Sequence, residues 1–175
     1  LRASTSEPQD YERRVFLEDF TNAACGPCAQ FAPQLHAALE DLGDLVTPIG
    51  YHVWWPGAAP SFNENQADPE WMVEYYGVRG VPAIYIDGEV FNGRDRNAVV
   101  NAVEDRARIR SPFEIAAEAG VIENELTVTV AVSSGAELAD MTLRVALTEG
   151  YVNFRGANGL ADHYDAMVSM LPDAQ

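Results

Sequence analysis

Short apolar runs and helix-period segments alternate along the first 110 residues, and beyond Ser111-Pro112 the period changes to two. Residues Arg14–Phe20 are rich in β-branched and aromatic side chains and end in Thr21-Asn22, which predicts a strand buried on both faces. A helical segment follows to Leu42, with Phe31, Leu35, Ala38, Leu39 and Leu42 at helical spacing. Pro27 suits its first turn, Pro33 is expected to kink it, and Gly43 ends it. Val46–Trp54 predicts a second buried strand, and the stretch from Trp55 to Pro69, with three prolines, predicts a loop. Glu70–Tyr76 is expected to be a short helix stopped at Gly77. Pro82–Ile86 and Glu89–Phe91 flank Asp87-Gly88, a strong hairpin signal, and Asn97–Arg110 closes this portion as a helix.

In the remaining residues, Leu126, Val128, Val130 and Val132 alternate with Thr127, Thr129 and Ala131, and Met141, Leu143, Val145 and Leu147 alternate in the same way. With Phe113–Ala119 these predict a small antiparallel sheet of three strands or more, followed by a less periodic tail after Gly150. The division expected is a tether over residues 1–12, a first domain over 13–110 with an insertion near 54–70, and a β-rich extension over 111–175.

Composition narrows the functional classes. The 27 acids outnumber the 11 bases, all of them Arg, for a formal net charge of −16. Such a field repels phosphate backbones and anionic lipid, so no nucleic-acid partner is expected. No window approaches the roughly 18 uninterrupted apolar residues of a transmembrane span. The two cysteines form a single Cys25-Gly26-Pro27-Cys28 motif. Closing so short a loop stabilises by only about 2 kcal/mol in chain-entropy terms, against about 4.7 for a hundred-residue loop, so redox chemistry or metal ligation explains the pair better than stapling.

Cys25 stands where a strand ends and a helix begins. Free N–H groups and the helix dipole there favour a thiolate, and can lower a cysteine from about 8.5 into the range of about 3.5–7.5. Cys28 lies one turn deeper. This predicts an accessible nucleophile, Cys25, and a resolving thiol, Cys28.

The stretch Phe16–Cys28 closely resembles the active-site strand and turn of the thioredoxins, with Pro33 five residues past the second cysteine as in that family. Tyr76–Glu89 resembles the family's cis-proline loop and hairpin. The resemblance covers residues 13–110 and implies a mixed α/β thioredoxin fold in the order β-α-β-α-β-β-α. It implies that Pro82 is the cis-proline facing Cys25, that Val81 offers its backbone to an extended substrate, and that Asp19 is a buried acid serving the resolving thiol. A strand-end acid satisfied by backbone N–H groups is the other reading of Asp19. Glu18 departs from the apolar residue usual in the family, either as a second acid or as a half-exposed side chain.

Ala24 replaces the family's tryptophan, and the interval from Cys28 to Pro82 is longer than in thioredoxin. The excess near Trp54–Pro69 offers Trp54 and Trp55, beside Gly26 and Pro27, as candidate substrate contacts. The strands after residue 125, Leu147–Gly150 and Asp162–Val168 look like the bacterial outer-membrane-associated thioredoxin-like family, which implies an extracytoplasmic place in the periplasm or cell envelope.

The expected activity is thiol–disulfide exchange with protein or peptide thiols and disulfides, biased toward reduction. It needs an electron-donor or acceptor protein and no cofactor beyond the cysteine pair. The alternatives are an envelope binding module with a structural bridge and a metal carrier. For the latter, CxxC supplies half of a tetrahedral site, with His36, His52 and His163 in ordinary packing roles.

Overall fold

The computed structural model describes residues 10–135 and 141–171. Residues 1–9 of the expected tether lie outside this range. The described residues form two compact units, one from the ranges 14–106 and 143–171, the other from 10–13, 107–135 and 141–142.

In the first unit β1 (Val15–Thr21), α1 (Gly26–Leu42), β2 (Val46–His52), α2 (Ala67–Tyr76), β3 (Ala83–Ile86), β4 (Glu89–Phe91) and α3 (Arg96–Ala107) follow the expected order. α1 runs on through Pro33 to a Gly43 cap with φ +49°, a conformation that glycine adopts without a Cβ clash. α2 begins three residues before the expected Glu70, so the loop ahead of it is shorter than predicted.

β1 pairs parallel with β2, Val15 opposite Val46 and Thr21 opposite His52, and antiparallel with β3, Asp19 opposite Ile84. Both faces of β1 are covered, as a central strand requires. Phe20, Ile49, Tyr51 and Val53 pack with Met72 and Val73 of α2. Leu17, Asp19, Thr21, Gly50 and His52 face Ala32, Leu35 and Leu39 of α1 across a small cavity.

The residues after 143 depart from the expected single extension. β7 (Val145–Asn153) and β8 (Asp162–Leu171) join the main sheet, whose order is β4-β3-β1-β2-β8-β7. β8 lies parallel to β2, with Gly50 opposite Ala166, and buries Met167 and Met170 in the α2-side core. The tail reads as aperiodic because Asp165 has φ +51° and the β7–β8 register shifts between Leu147 and Thr148. Each irregularity interrupts the alternation by which a strand is recognised.

The second unit carries the separate antiparallel sheet, of two strands rather than three: β5 (Phe113–Ile122) and β6 (Glu125–Ser134). Ile115, Ala117, Ala119 and Val121 pair with Val132, Val130, Val128 and Leu126, so one face of this hairpin is apolar along four successive pairs, up to the Phe113–Ser134 pair at its end. Glu123 and Asn124 turn it with φ +49° and +69°.

Candidate functional site: a disulfide at the mouth of a helix

β1 ends at Thr21, and the Asn22–Cys25 turn aims the chain into α1. Asn22 is buried and organises that turn: its Oδ1 accepts from Ala24 N–H at 2.7 Å, and its Nδ2 donates to the Val53 and Gly57 carbonyls at 2.6 and 3.2 Å. Its own carbonyl accepts from Cys25 N–H at 3.0 Å. Cys25 then caps α1, with Pro27 in the first turn.

Cys25 and Cys28 are joined by a disulfide, their Cα atoms 5.2 Å apart. The Cys28 N–H donates to Cys25 Sγ at 3.1 Å, an otherwise unpaired first-turn donor aimed at the sulfur where a thiolate would carry its charge. Gly26 and Pro27 are exposed beside it. The expected contrast between an accessible Cys25 and a deep Cys28 is absent from the oxidised form, where the residues are 3% and 2% exposed. The cover over Cys25 includes the Val81 carbonyl, whose oxygen lies 3.5 Å from Sγ.

The Val81–Pro82 peptide is cis. Arg94, which the sequence reading passed over, ties this loop down: it donates to the Pro82 carbonyl at 3.0 Å and to Gly93 at 2.8 Å, while its guanidinium lies 5.6 Å from the Phe31 ring of α1. A second cis peptide joins Trp55 to Pro56.

Alternation along β1 separates the two acids. Asp19 faces α1, the helix that carries Cys28. Its Oδ1 is buried without a hydrogen-bond partner among the described residues, and burial pushes its carboxyl up to about 7 against the opposing charge of Arg94. The backbone-satisfied alternative for Asp19 therefore does not describe that oxygen.

Glu18 lies on the α2 face, 1% exposed, and accepts from the hydroxyls of Tyr51 at 3.3 Å and Tyr76 at 2.5 Å. Burial raises its carboxyl and the two tyrosine bonds work against that rise. It is neither half-exposed nor on the disulfide-bearing helix's side of the sheet.

The insertion begins against the redox turn. Gly57 passes so close to Ala24 that an added Cβ would stand 2.5 Å from the Ala24 Cβ. Trp55 is partly buried on the α2-side core, on which Val81 also packs, and Trp54, 40% exposed, meets it edge-on at 4.7 Å.

The β7–β8 connection braces the same turn from another direction. Asn158 Nδ2 donates to the carbonyls of Cys25 at 3.0 Å and Asn22 at 3.3 Å, and Asn158 N–H donates to Ala23 O at 3.0 Å. A Cβ on Gly156 would meet Ala23 O at 2.4 Å. In the sequence only the Gly156–Gly159 turn composition hinted at this segment, and nothing placed it beside the cysteines.

His52 and His163 sit together near Phe62 and Phe154, with ring centroids of the two histidines 5.2 Å apart. Burial pushes His52 down to about 3 and lowers His163 as well. His163 Nε2 lies 2.9 Å from the Phe154 carbonyl. No group of three or more His, Cys, Asp or Glu side chains among the described residues is arranged to hold a metal ion.

A mixed sheet flanked by helices, with a cysteine pair bridging the first turn of the helix that follows its central strand, defines a thioredoxin-fold domain with a disulfide centre. No family model matches the chain. Over 74 residues it is 39% identical to a curated thioredoxin of Rhodospirillum rubrum, a stretch covering 41% of this chain and 59% of that protein. Among solved structures, HBP35 of Porphyromonas gingivalis superposes over 92% of this chain and 57% of its own, with a TM-score of 0.72 and 19% identity. A protein of Agrobacterium tumefaciens matches over 93% of this chain and 75% of its own, with a TM-score of 0.60 and 16% identity. At these identities the two structures speak for the fold. The chain has the thioredoxin fold, and it spans 59% of the length of the thioredoxin that it matches in sequence.

Proposed function

We propose that the protein is a thiol–disulfide oxidoreductase acting on protein or peptide disulfides in the reducing direction. The observation that carries this reading is the Cys25–Cys28 disulfide at the N-terminus of α1, with the Cys28 N–H on Cys25 Sγ and the Val81 carbonyl across from it. In the reduced form the Cys25 thiolate attacks a substrate disulfide, forming a mixed disulfide and releasing one substrate thiolate. Cys28 passes its proton to the Asp19 carboxylate and attacks Cys25 Sγ. The second substrate thiolate leaves, the Cys25–Cys28 bond re-forms, and two electrons have moved to the substrate.

The exposed Gly26-Pro27 step and the Val81 backbone supply the docking edge, where an extended substrate segment can pair as an added strand. Trp54 extends that edge as an exposed aromatic. Reduction of the resulting disulfide requires an electron-donor protein. The resemblance of the C-terminal segments to an outer-membrane-associated family supports an extracytoplasmic place, which fractionation of cells producing the full chain tests. Among the described residues, no helix is long and apolar enough to cross a membrane.

The Cys28→Ser variant tests the scheme. It is expected to accumulate mixed disulfides through Cys25 that dithiothreitol releases; a variant that traps nothing, under conditions where the parent turns over disulfides, overturns it.

The near-complete burial of both sulfurs favours one second reading, a binding module with a permanently closed bridge. Alkylation mass shifts after equilibration with graded glutathione separate the two, because a closed bridge remains unmodified across the series.

A further inference from the structure

A buried carboxyl that takes a proton in each turnover must hand it on before the next. The front of the site is a poor exit, because a docked substrate covers it during the step that loads Asp19. The structure offers another direction. Behind the disulfide, between α1 and the sheet face carrying Asp19, lies a cavity of about 60 Å³. Gly50, the cross-strand neighbour of Asp19, lines it without a side chain to fill it. Two buried polar atoms without partners, Asp19 Oδ1 and His52 Nδ1, belong to residues in its wall. The lining is mostly apolar, but the space has room for a few waters and these polar atoms in its wall give them partners.

Toward the C-terminal end of α1, where Gly43 and the start of β2 meet, a recess of about 320 Å³ opens to the surface. His36, Leu39, Pro48 and Asp165 wall both the cavity and the recess, so this is where the two adjoin. His36 is held against β8 by stacking on Tyr164, centroids 3.7 Å apart and planes within 8°. Asp165 is presented there by the irregularity in β8: it holds φ +51° between the Tyr151–Tyr164 and Glu149–Ala166 pairs. A non-glycine residue held in that sparsely populated region inside a strand points to a use for the side chain it re-aims.

We propose that His36 and Asp165 form a rear proton portal for Asp19, through which the proton taken from Cys28 leaves by the cavity and the recess while substrate still covers the front. This rests on the proton role given to Asp19 above. The step balances: the Cys28 proton moves to Asp19, then along water to the His36–Asp165 pair and into bulk, and no oxidant or reductant enters.

The titratable groups around the portal suit proton passage. Arg14, just ahead of β1, and Glu40 of α1 line the outer recess, with Glu40 Oε1 3.6 Å from His36 Nε2. His52 of β2 and Asp162 and His163 of β8 line the inner cavity. Burial raises Asp165 and the facing His36 opposes that rise, so the carboxyl can hold a proton transiently closer to neutrality than an exposed aspartate.

The test is a single-turnover oxidation of the reduced full chain by an aromatic disulfide whose leaving thiolate stays unprotonated at pH 7. Absorbance follows thiolate release, and a pH-indicator dye follows the proton. In the parent the second thiolate and the proton are expected to appear together. In the double variant His36→Gln/Asp165→Asn the dye trace is expected to lag at least tenfold, with the lag growing toward acid pH. Leu39→Trp, which narrows the shared wall and leaves every titratable group in place, is expected to lag likewise.

Coincident traces in both variants, in a protein whose Asp19→Asn form releases the second thiolate slowly, overturn the portal alone. An Asp19→Asn form that resolves at the parent rate removes the proton role of Asp19, and the portal with it.

Discussion

Replacing Asp19 by Asn keeps the side chain's size and removes its charge, which isolates the cost of ionising a carboxyl inside the sheet–helix layer. Burial raises that carboxyl from its ordinary 3.8 to about 7, with Arg94 pulling the other way. At about 1.36 kcal/mol per pH unit separating the folded and unfolded titrations, ionised Asp19 costs the folded state up to about 4 kcal/mol. Water entering the cavity beside Oδ1 screens part of this, so about 2–4 kcal/mol is expected. Because the folded value lies above the unfolded one, the contribution is fully present below about pH 4 and is lost as pH rises through about 7. The assay is guanidinium unfolding of the oxidised protein, whose thiols cannot titrate, at intervals from pH 4 to 8.5. Stability of the parent should fall relative to Asp19→Asn by about 2–4 kcal/mol across that range, most of it before pH 7.5. A constant offset between the two proteins from pH 4 to 8.5 would refute the burial reasoning, since a charge that costs nothing is not desolvated.

The braces around the disulfide give two further outcomes, and the buried histidine pair a third. Asn158→Ala removes the donor shared by the Cys25 and Asn22 carbonyls and the acceptor for Leu160 N–H, and should destabilise the oxidised protein by roughly 1–3 kcal/mol in urea unfolding. Gly156→Ala drives a methyl group into the Ala23 carbonyl, which should cost roughly 1–3 kcal/mol and speed hydrogen exchange at the Cys25 amide, measured by NMR. His52→Phe keeps an aromatic ring against Phe62 and removes a base that burial holds at about 3 against an ordinary 6.5. The stability owed to that neutral imidazole is present above pH 6.5 and lost as pH falls toward 3, so the variant should unfold at lower pH than the parent in an acid titration followed by circular dichroism.

The cysteine turn, the Asp87-Gly88 hairpin and the first three helices were legible because each is written in a contiguous stretch. N-cap chemistry, turn residues and hydrophobic period act over a few positions. Asp19 and Glu18 show where legibility ends: adjacent acids on one strand look equivalent until the sheet acquires a helix on each side. Alternation then sends Asp19 toward α1 and Glu18 toward Tyr51 and Tyr76. Arg94 escaped notice for the same reason, since its hydrogen bonds reach Pro82, twelve residues back in the chain.

The chain's own residue order determines a strand ending in a helix capped by Cys25, with a second cysteine one turn on, because those features depend on neighbours in sequence. It also determines that the alternating stretches between residue 113 and Gly150 make strands, since period two is a local property, whereas the interrupted period of β8 hides it. Which sheet each strand joins is decided only in three dimensions. β5 and β6 pair with each other across a two-residue turn, whereas β8 finds β2 more than a hundred residues away. A parallel pairing of that separation carries no turn signature. It is selected by the burial of Met167 and Met170 and by the room Gly50 leaves beside β8, and it alone brings Asn158, His163 and Asp165 to the back of the disulfide.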